Sequence, residues 1–490
     1  MTSISLDPAW GVSSDTAMVA TGHPLAAQVA RGMLQRGGSA VDAAIAADAV
    51  LGVVEPMATG IGGDVLAMLV PPGQAPVSYN GTGRSPGLLT AAAWQDLPHH
   101  KIPERHPLSV TVPGVVQAWH DLHARYGVLP WAELLAPAIA VARDGFAVAP
   151  VAAREWALFE PVLRQDPHTA RLYRAGAVPR AGERYANPEL AAVLTAVAHE
   201  GPAAFYLGAP ARAAAQAVQH MGGVLAEADF AAHNGHFAEP VAGQFRGWTV
   251  LECPPNTHGV AVLHALAALE GQSLDKGDPQ TTVAMADAMR AALKVAKETV
   301  ADPAGNTVCT VVVDRNGFAI TLMSSVFKRF GSGIAAVGQG FVLQNRGFGF
   351  SVPGHINGPG PAKRPYHTVV PAAVLQDGAF RACLGVVGGA MQPQGHVQLI
   401  TRLAAWGEPV QAAIDAPRWR LESDRDLAVE AGTPVAIEAA LRAAGYSEPA
   451  GLGELGGRSD FGGAQVVLRL PDGRLVGGSD TRKDGMALAA

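Results

Sequence analysis

A change of texture near residue 302 constrains this chain more than any other feature. From about 24 to 300 the sequence is Ala-rich. Apolar residues recur at i, i+3 and i+4 over 25–36, 40–51, 115–126, 131–144, 188–199, 209–220, 260–270 and 280–297, the spacing of helices with one buried face. After Asp302-Pro303-Ala304-Gly305-Asn306 the pattern turns β-rich. Runs at 307–313 and 318–325 flank Asp314-Arg315-Asn316-Gly317 and read as a hairpin. Further strands are expected at 366–375, 381–387, 464–470 and 474–477, and helices at about 394–406 and 408–415. Helices and strands in segregated runs predict a layered α/β or α+β core with a helical front half. Within that half, Gly37-Gly38 should close the first helix, and Ser39, three residues before Asp42, should open the next.

Charge and composition exclude several function classes. The 36 basic and 42 acidic residues give a net charge of −6 with no run of five like charges, so the footprint of a nucleic-acid or membrane-surface binder is missing. Cys253, Cys309 and Cys383 are odd in number, far apart and outside any CxxC pair, which suits a reducing compartment. No basic n-region with an apolar h-region opens the chain and no stretch of about 18 apolar residues occurs, so the cytoplasm is the expected location.

Metal and phosphate motifs are also missing, and no cofactor is expected. There is no HExxH or GxxxxGK[ST], and His99, His100 and His106 lie in a polar, Pro-containing loop where solvated histidines are expected. Thr59-Gly60-Ile61-Gly62-Gly63-Asp64 is not GxGxxG, which discards a nicotinamide dehydrogenase. The informative junction is Asn306–Thr307. A Thr that opens a strand becomes a nucleophile if the bond before it is cut, because the freed α-amine then sits on the same residue as the hydroxyl. That amine titrates near pH 8 (roughly), so it can serve as general base at neutral pH.

The chain resembles the γ-glutamyltransferase (glutathione hydrolase) family along nearly its whole length. The likeness is carried by the stretch 26–69, by Val112-Pro113-Gly114, Ala142-Arg143-Asp144-Gly145-Phe146, Gly201-Pro202-Ala203-Ala204-Phe205-Tyr206, Gly331-Ser332-Gly333 and Lys363-Arg364-Pro365. Gly388-Gly389, Ala416-Pro417-Arg418 and the terminal Ser479-Asp480 and Arg482-Lys483-Asp484-Gly485 complete it, all in the same order. The resemblance implies an α/β N-terminal-nucleophile hydrolase, a four-layer αββα sandwich with a helix-rich large subunit. Its precursor would cut itself between Asn306 and Thr307 into residues 1–306 and 307–490, two subunits that stay together around one composite core and act on a small-molecule amide. By the same resemblance Thr307 is the nucleophile, Ser325 the supporting hydroxyl, and Gly388 and Gly389 supply the oxyanion hole.

Departures from the family pattern point to the substrate. The Arg that binds the donor α-carboxylate falls on Thr82, with Arg84 two places on; the Asn and Gln of the amino-acid site become Phe327 and Arg346; the Asp that pairs the ammonium becomes Gly349; and two serines become His367 and Thr368. Exchanging that Asp and Gln for Gly349 and Arg346 changes the local formal charge from −1 to +1. The pattern looks like a divergent branch of the family that includes acylases and an oxamate amidohydrolase. Arg84, Arg346, His367 and Thr368 are the expected substrate-binding residues, for a small acidic amide rather than glutathione. A true γ-glutamyl hydrolase or transpeptidase, an oxamate-type amidohydrolase, and an unprocessed binding relative stay open as alternatives.

Overall fold

The computed structural model describes residues 9–174, 176–300, 306–449 and 457–490. Two seven-stranded antiparallel sheets organise it. Strands of the first half are β1 (Val12–Ser14), β2 (Met18–Thr21), β3 (Asp64–Val70), β4 (Val77–Gly81), β5 (His236–Ala238), β6 (Val241–Phe245) and β7 (Trp248–Glu252). Those of the second are β8 (Asn306–Val313), β9 (Ala319–Phe327), β10 (Ala372–Gln376), β11 (Ala379–Val387), β12 (Gly463–Arg469), β13 (Leu475–Ser479) and β14 (Met486–Ala489). One sheet runs β14-β2-β8-β9-β3-β4-β5 and the other β1-β13-β12-β11-β10-β7-β6, so each contains strands from both sides of the Asn306–Thr307 bond.

Sheet packs on sheet through an apolar layer that includes Met18, Leu66, Met68, Leu251, Val311, Met323 and Val467. All three cysteines lie in this layer, buried and unbridged. Gly385 on β11 allows the close approach: a Cβ there would stand 2.6 Å from Cys309 Sγ and 2.8 Å from Met323 Sδ. The outer face of the first sheet is covered by α1 (Pro24–Gln35) and α2 (Ala40–Val54), that of the second by α3 (Gly259–Leu269), α4 (Pro279–Thr299) and α5 (Met391–Ile400). The result is the four-layer αββα arrangement. Among the described residues no helix is long and apolar enough to cross a membrane.

Several local expectations hold. Gly37 takes φ +89° after α1, and Ser39 and Asp42 exchange hydrogen bonds across the first turn of α2 at 2.9 and 3.2 Å. The segregation of helices and strands does not hold, because seven strands of the two large sheets precede residue 302. β3 shows why: it is buried along its whole length, so it reads as a continuous apolar run, which periodicity cannot tell from a buried helix. The strand expected over 366–375 is confined to Ala372–Gln376, since 366–371 leave the sheet, and the helix over 394–406 starts at Met391 and loosens into a π turn, Thr401–Ala405.

Asp48 of α2 is buried, and accepts hydrogen bonds from the Ser324 hydroxyl and from Trp119 Nε1 at 2.8 Å. Burial raises its pKa from 3.8 to about 6 against the pull of those donors. The folded chain thus holds this proton more tightly than the unfolded one, a contribution present in full below pH 3.8 and lost as pH rises through about 6. In chemical denaturation, the stability of the wild type relative to Asp48→Asn should fall by about 2–3 kcal/mol between about pH 4 and 7. A difference that stays constant across that range would contradict this reading.

Candidate active site

Thr307 is the second residue of β8 and is buried. The β8–β9 register shifts there: Asn306 faces Phe327 and Val308 faces Ser324, which places Thr307 at a bulge opposite Ser325 and Val326. Residues 302–305 of the expected cleavage loop lie outside the described residues. From the other side, Gln392 Nε2 donates to Thr307 Oγ1 at 2.7 Å. Gln392 stands on the first turn of α5, directly after the glycine pair.

Gly388 and Gly389 turn the chain from β11 into α5 with φ of +122° and +60°. A Cβ on Gly388 would approach Gly462 Cα to 3.1 Å. Their carbonyls accept the N–H groups of Met391 and Gln392, both at 3.1 Å, while among the described residues no acceptor meets either glycine's own N–H. Two backbone donors at a helix N-terminus form an anion-binding arrangement.

Around Ser325 a second group of buried polar side chains converges. Ser325 Oγ accepts from Arg346 Nη2 at 3.0 Å and from Phe327 N–H at 2.9 Å, and Arg346 Nη1 donates to Thr368 Oγ1 at 3.2 Å. Arg346 is fully buried, its guanidinium carbon 4.1 Å from the Phe327 ring centroid, and among the described residues its Nε has no hydrogen-bond partner. Burial lowers its pKa to about 9, with the Asp64 carboxylate opposing, so the group remains a cation at neutral pH. Asp64 faces Ser325 across the β9–β3 ladder. Its Oδ1 accepts from Gly83 N–H and Gln344 Nε2, each at 2.9 Å, and its Oδ2 lies 3.4 Å from His367 Nε2. His367 Nδ1 accepts Val369 N–H at 3.2 Å, and burial first, the Arg346 cation second, push its pKa down to about 4; this histidine is neutral.

The structure therefore brings Thr307, Ser325, Arg346, His367 and Thr368 into one linked region with the glycine pair at its edge. Arg84 stands apart: half-buried, it donates from Nη1 to Ala362 O at 3.2 Å. Thr82 is buried and its hydroxyl donates to Asn80 Oδ1 at 2.6 Å. Gly349 lies against the Tyr366 carbonyl, 3.1 Å from where a Cβ would be, so a side chain there would need that carbonyl to shift slightly. Two participants escaped sequence reasoning. Asp64 offered the signal of an acid closing a glycine-rich loop, and it restores a negative charge that the count of exchanged residues omits. Gln392 offered none beyond its place after Gly388-Gly389. His99 and His100 are exposed, and among the described residues no cluster could hold a metal ion.

The family profile "Gamma-glutamyltranspeptidase" matches residues 26–309 and 303–490. A glutathione hydrolase-like proenzyme of Bacillus subtilis, YwrD, is 34% identical, covering 96% of this chain and 98% of its own. The oxamate amidohydrolase proenzyme of Klebsiella pneumoniae is 32% identical over the same shares. Among solved structures, the cephalosporin acylase from Bacillus halodurans superposes with a TM-score of 0.91 at 33% identity, covering 98% of this chain and 97% of that one.

Proposed function

Because this chain belongs to the γ-glutamyltranspeptidase family and is an N-terminal-nucleophile amide hydrolase by that membership, we propose that it matures by cutting its own Asn306–Thr307 bond and then hydrolyses small acidic amides. The observation that carries the reading is Thr307 itself: a buried hydroxyl opening a strand, hydrogen-bonded by Gln392 on the first turn of the helix that follows Gly388 and Gly389, whose N–H groups meet no acceptor among the described residues. Thr307 Oγ attacks the amide carbonyl while its proton passes to the freed α-amine. The Gly388 and Gly389 N–H groups hold the oxyanion, each contributing on the order of 3 kcal/mol. The C–N bond then breaks, the amine takes the proton as it leaves, and water or an acceptor amine releases the acyl group from Oγ. Ser325 supports the nucleophile from the paired strand. The three free thiols support a reducing, cytoplasmic location.

Arg346 supports an acidic acyl donor. It is a buried cation with an unused Nε beside the supporting hydroxyl, whereas Phe327 fills, and Gly349 leaves bare, the positions that hold an ammonium in the family pattern. A relative named for oxamate, a monoamide with a carboxylate and no ammonium, points the same way. His367 and Thr368 flank the acyl group. Arg84 is better read as a rim residue that meets the donor's outer end.

Two measurements test this. Intact mass and N-terminal sequencing should give chains of 306 and 184 residues, the smaller starting at Thr307. With chromogenic anilides, kcat/KM for the glutaryl donor should exceed that for the γ-glutamyl donor at least about tenfold, roughly 1.4 kcal/mol of differential transition-state binding. Arg346→Ala should erase most of that ratio while self-cleavage continues. A better γ-glutamyl donor would overturn the donor assignment and put its ammonium on Asp64.

A further inference from the structure

The geometry points to Gln392 as a catalytic residue that holds the nucleophile's oxygen. Its side chain is fully buried, and its orientation is not ambiguous, because Oε1 accepts the Val370 N–H at 3.1 Å and a backbone N–H can only donate. The amide nitrogen must then face Thr307 Oγ1, to which it donates at 2.7 Å. The helix that carries it is pinned on the same face one turn later, where His396 Nδ1 meets Glu252 Oε1 at 2.9 Å, and between them Gln394 Oε1 accepts Leu421 N–H at 2.7 Å. The contact is thus built on a fixed element rather than on a mobile loop.

A hydroxyl has one O–H and two lone pairs. An N–H donated into one lone pair turns the O–H away from Gln392. The same N–H meets charge on Oγ twice: as the hydroxyl loses its proton to the amine, and again when the acyl ester collapses and Oγ leaves with the electron pair of the broken C–O bond. Gln392 exchanges no proton in either step. It would act in self-cleavage as well, where Oγ attacks the carbonyl carbon of Asn306. This inference rests on Thr307 being the nucleophile.

Gln392→Glu and Gln392→Met separate donation from packing. The glutamate keeps the acceptor for Val370 N–H but donates only when protonated, and the methionine fills the space with neither function. With the better chromogenic anilide, both should lower kcat at least tenfold near pH 8 and slow self-cleavage. The deficit of Gln392→Glu relative to wild type should shrink as pH falls toward 5, while that of Gln392→Met stays constant. Wild-type kcat in both variants, or one pH-independent deficit shared by both, would overturn the role of Gln392. Those results would leave the nucleophile assignment standing, which fails only if Thr307→Ala remains active.

Discussion

Thr307→Ala should run as a single 490-residue chain on a denaturing gel after prolonged incubation, and should hydrolyse anilides at least about 10⁴-fold more slowly than the wild type. The effect should be this large because, in the proposed mechanism, one side chain supplies the attacking oxygen for both reactions and, once cut free, its backbone nitrogen supplies the base. No neighbour can replace both. Ser325 is engaged by Arg346 and by the Phe327 N–H, and His367 is neutral but faces Asp64. Thr307→Ser restores the hydroxyl and should restore both reactions, more slowly because the methyl group that limits rotamers is lost. A Thr307→Ala chain that is still cut at residue 306, or that still turns over amides, would end the nucleophile assignment.

Gly388→Ala should produce the second largest loss, on the order of a hundredfold or more in kcat with KM little changed. Its φ of +122° is unfavourable for any residue with a Cβ, and that Cβ would press on Gly462 Cα at 3.1 Å, so the turn must move. Moving it would displace the amide donors proposed to act only on the charged intermediate, and such a loss appears in kcat. Gly378→Ala is the control. It also has positive φ, +77°, but no atom lies within 4 Å of its Cβ position, so it should cost a little stability and leave kcat unchanged. Equal kcat values for the two variants would remove the oxyanion role from Gly388.

Sequence reasoning reached the features whose physics is local. The β8–β9 hairpin was legible from its turn and its two β-rich runs. The α2 cap was legible from a Ser and an Asp three residues apart, and the glycine pair from its match to a known pattern. Of the first-half strands, β2 and β3 were hidden by burial, which makes β3 a continuous apolar run from Val65 to Val70. Asp64 was hidden for a different reason. Its role comes from a ladder partner more than 250 residues away, Ser325, and no local spacing records that pairing. Gln392 is an ordinary helix residue by composition, and only the turn of Gly388-Gly389 aims it at Thr307. The charge at the acyl site likewise depended on which residues meet, not on which were exchanged.

The alternation of strands from both sides of residue 306 within each sheet bears on how long activity lasts. Before the cut, the chain folds as one molecule and its strands find one another at a rate independent of concentration. After a cut at the Asn306–Thr307 bond, neither fragment holds a complete sheet: β2 would lack β8 and β14 on either side, and β11 would lack the β7 that closes its neighbour β10. Reassembly then becomes a second-order encounter between two fragments with exposed apolar edges, and it slows with every dilution. Maturation would make folding a one-way event. The lifetime of the mature protein would then be governed by how rarely it opens, rather than by how readily it recovers.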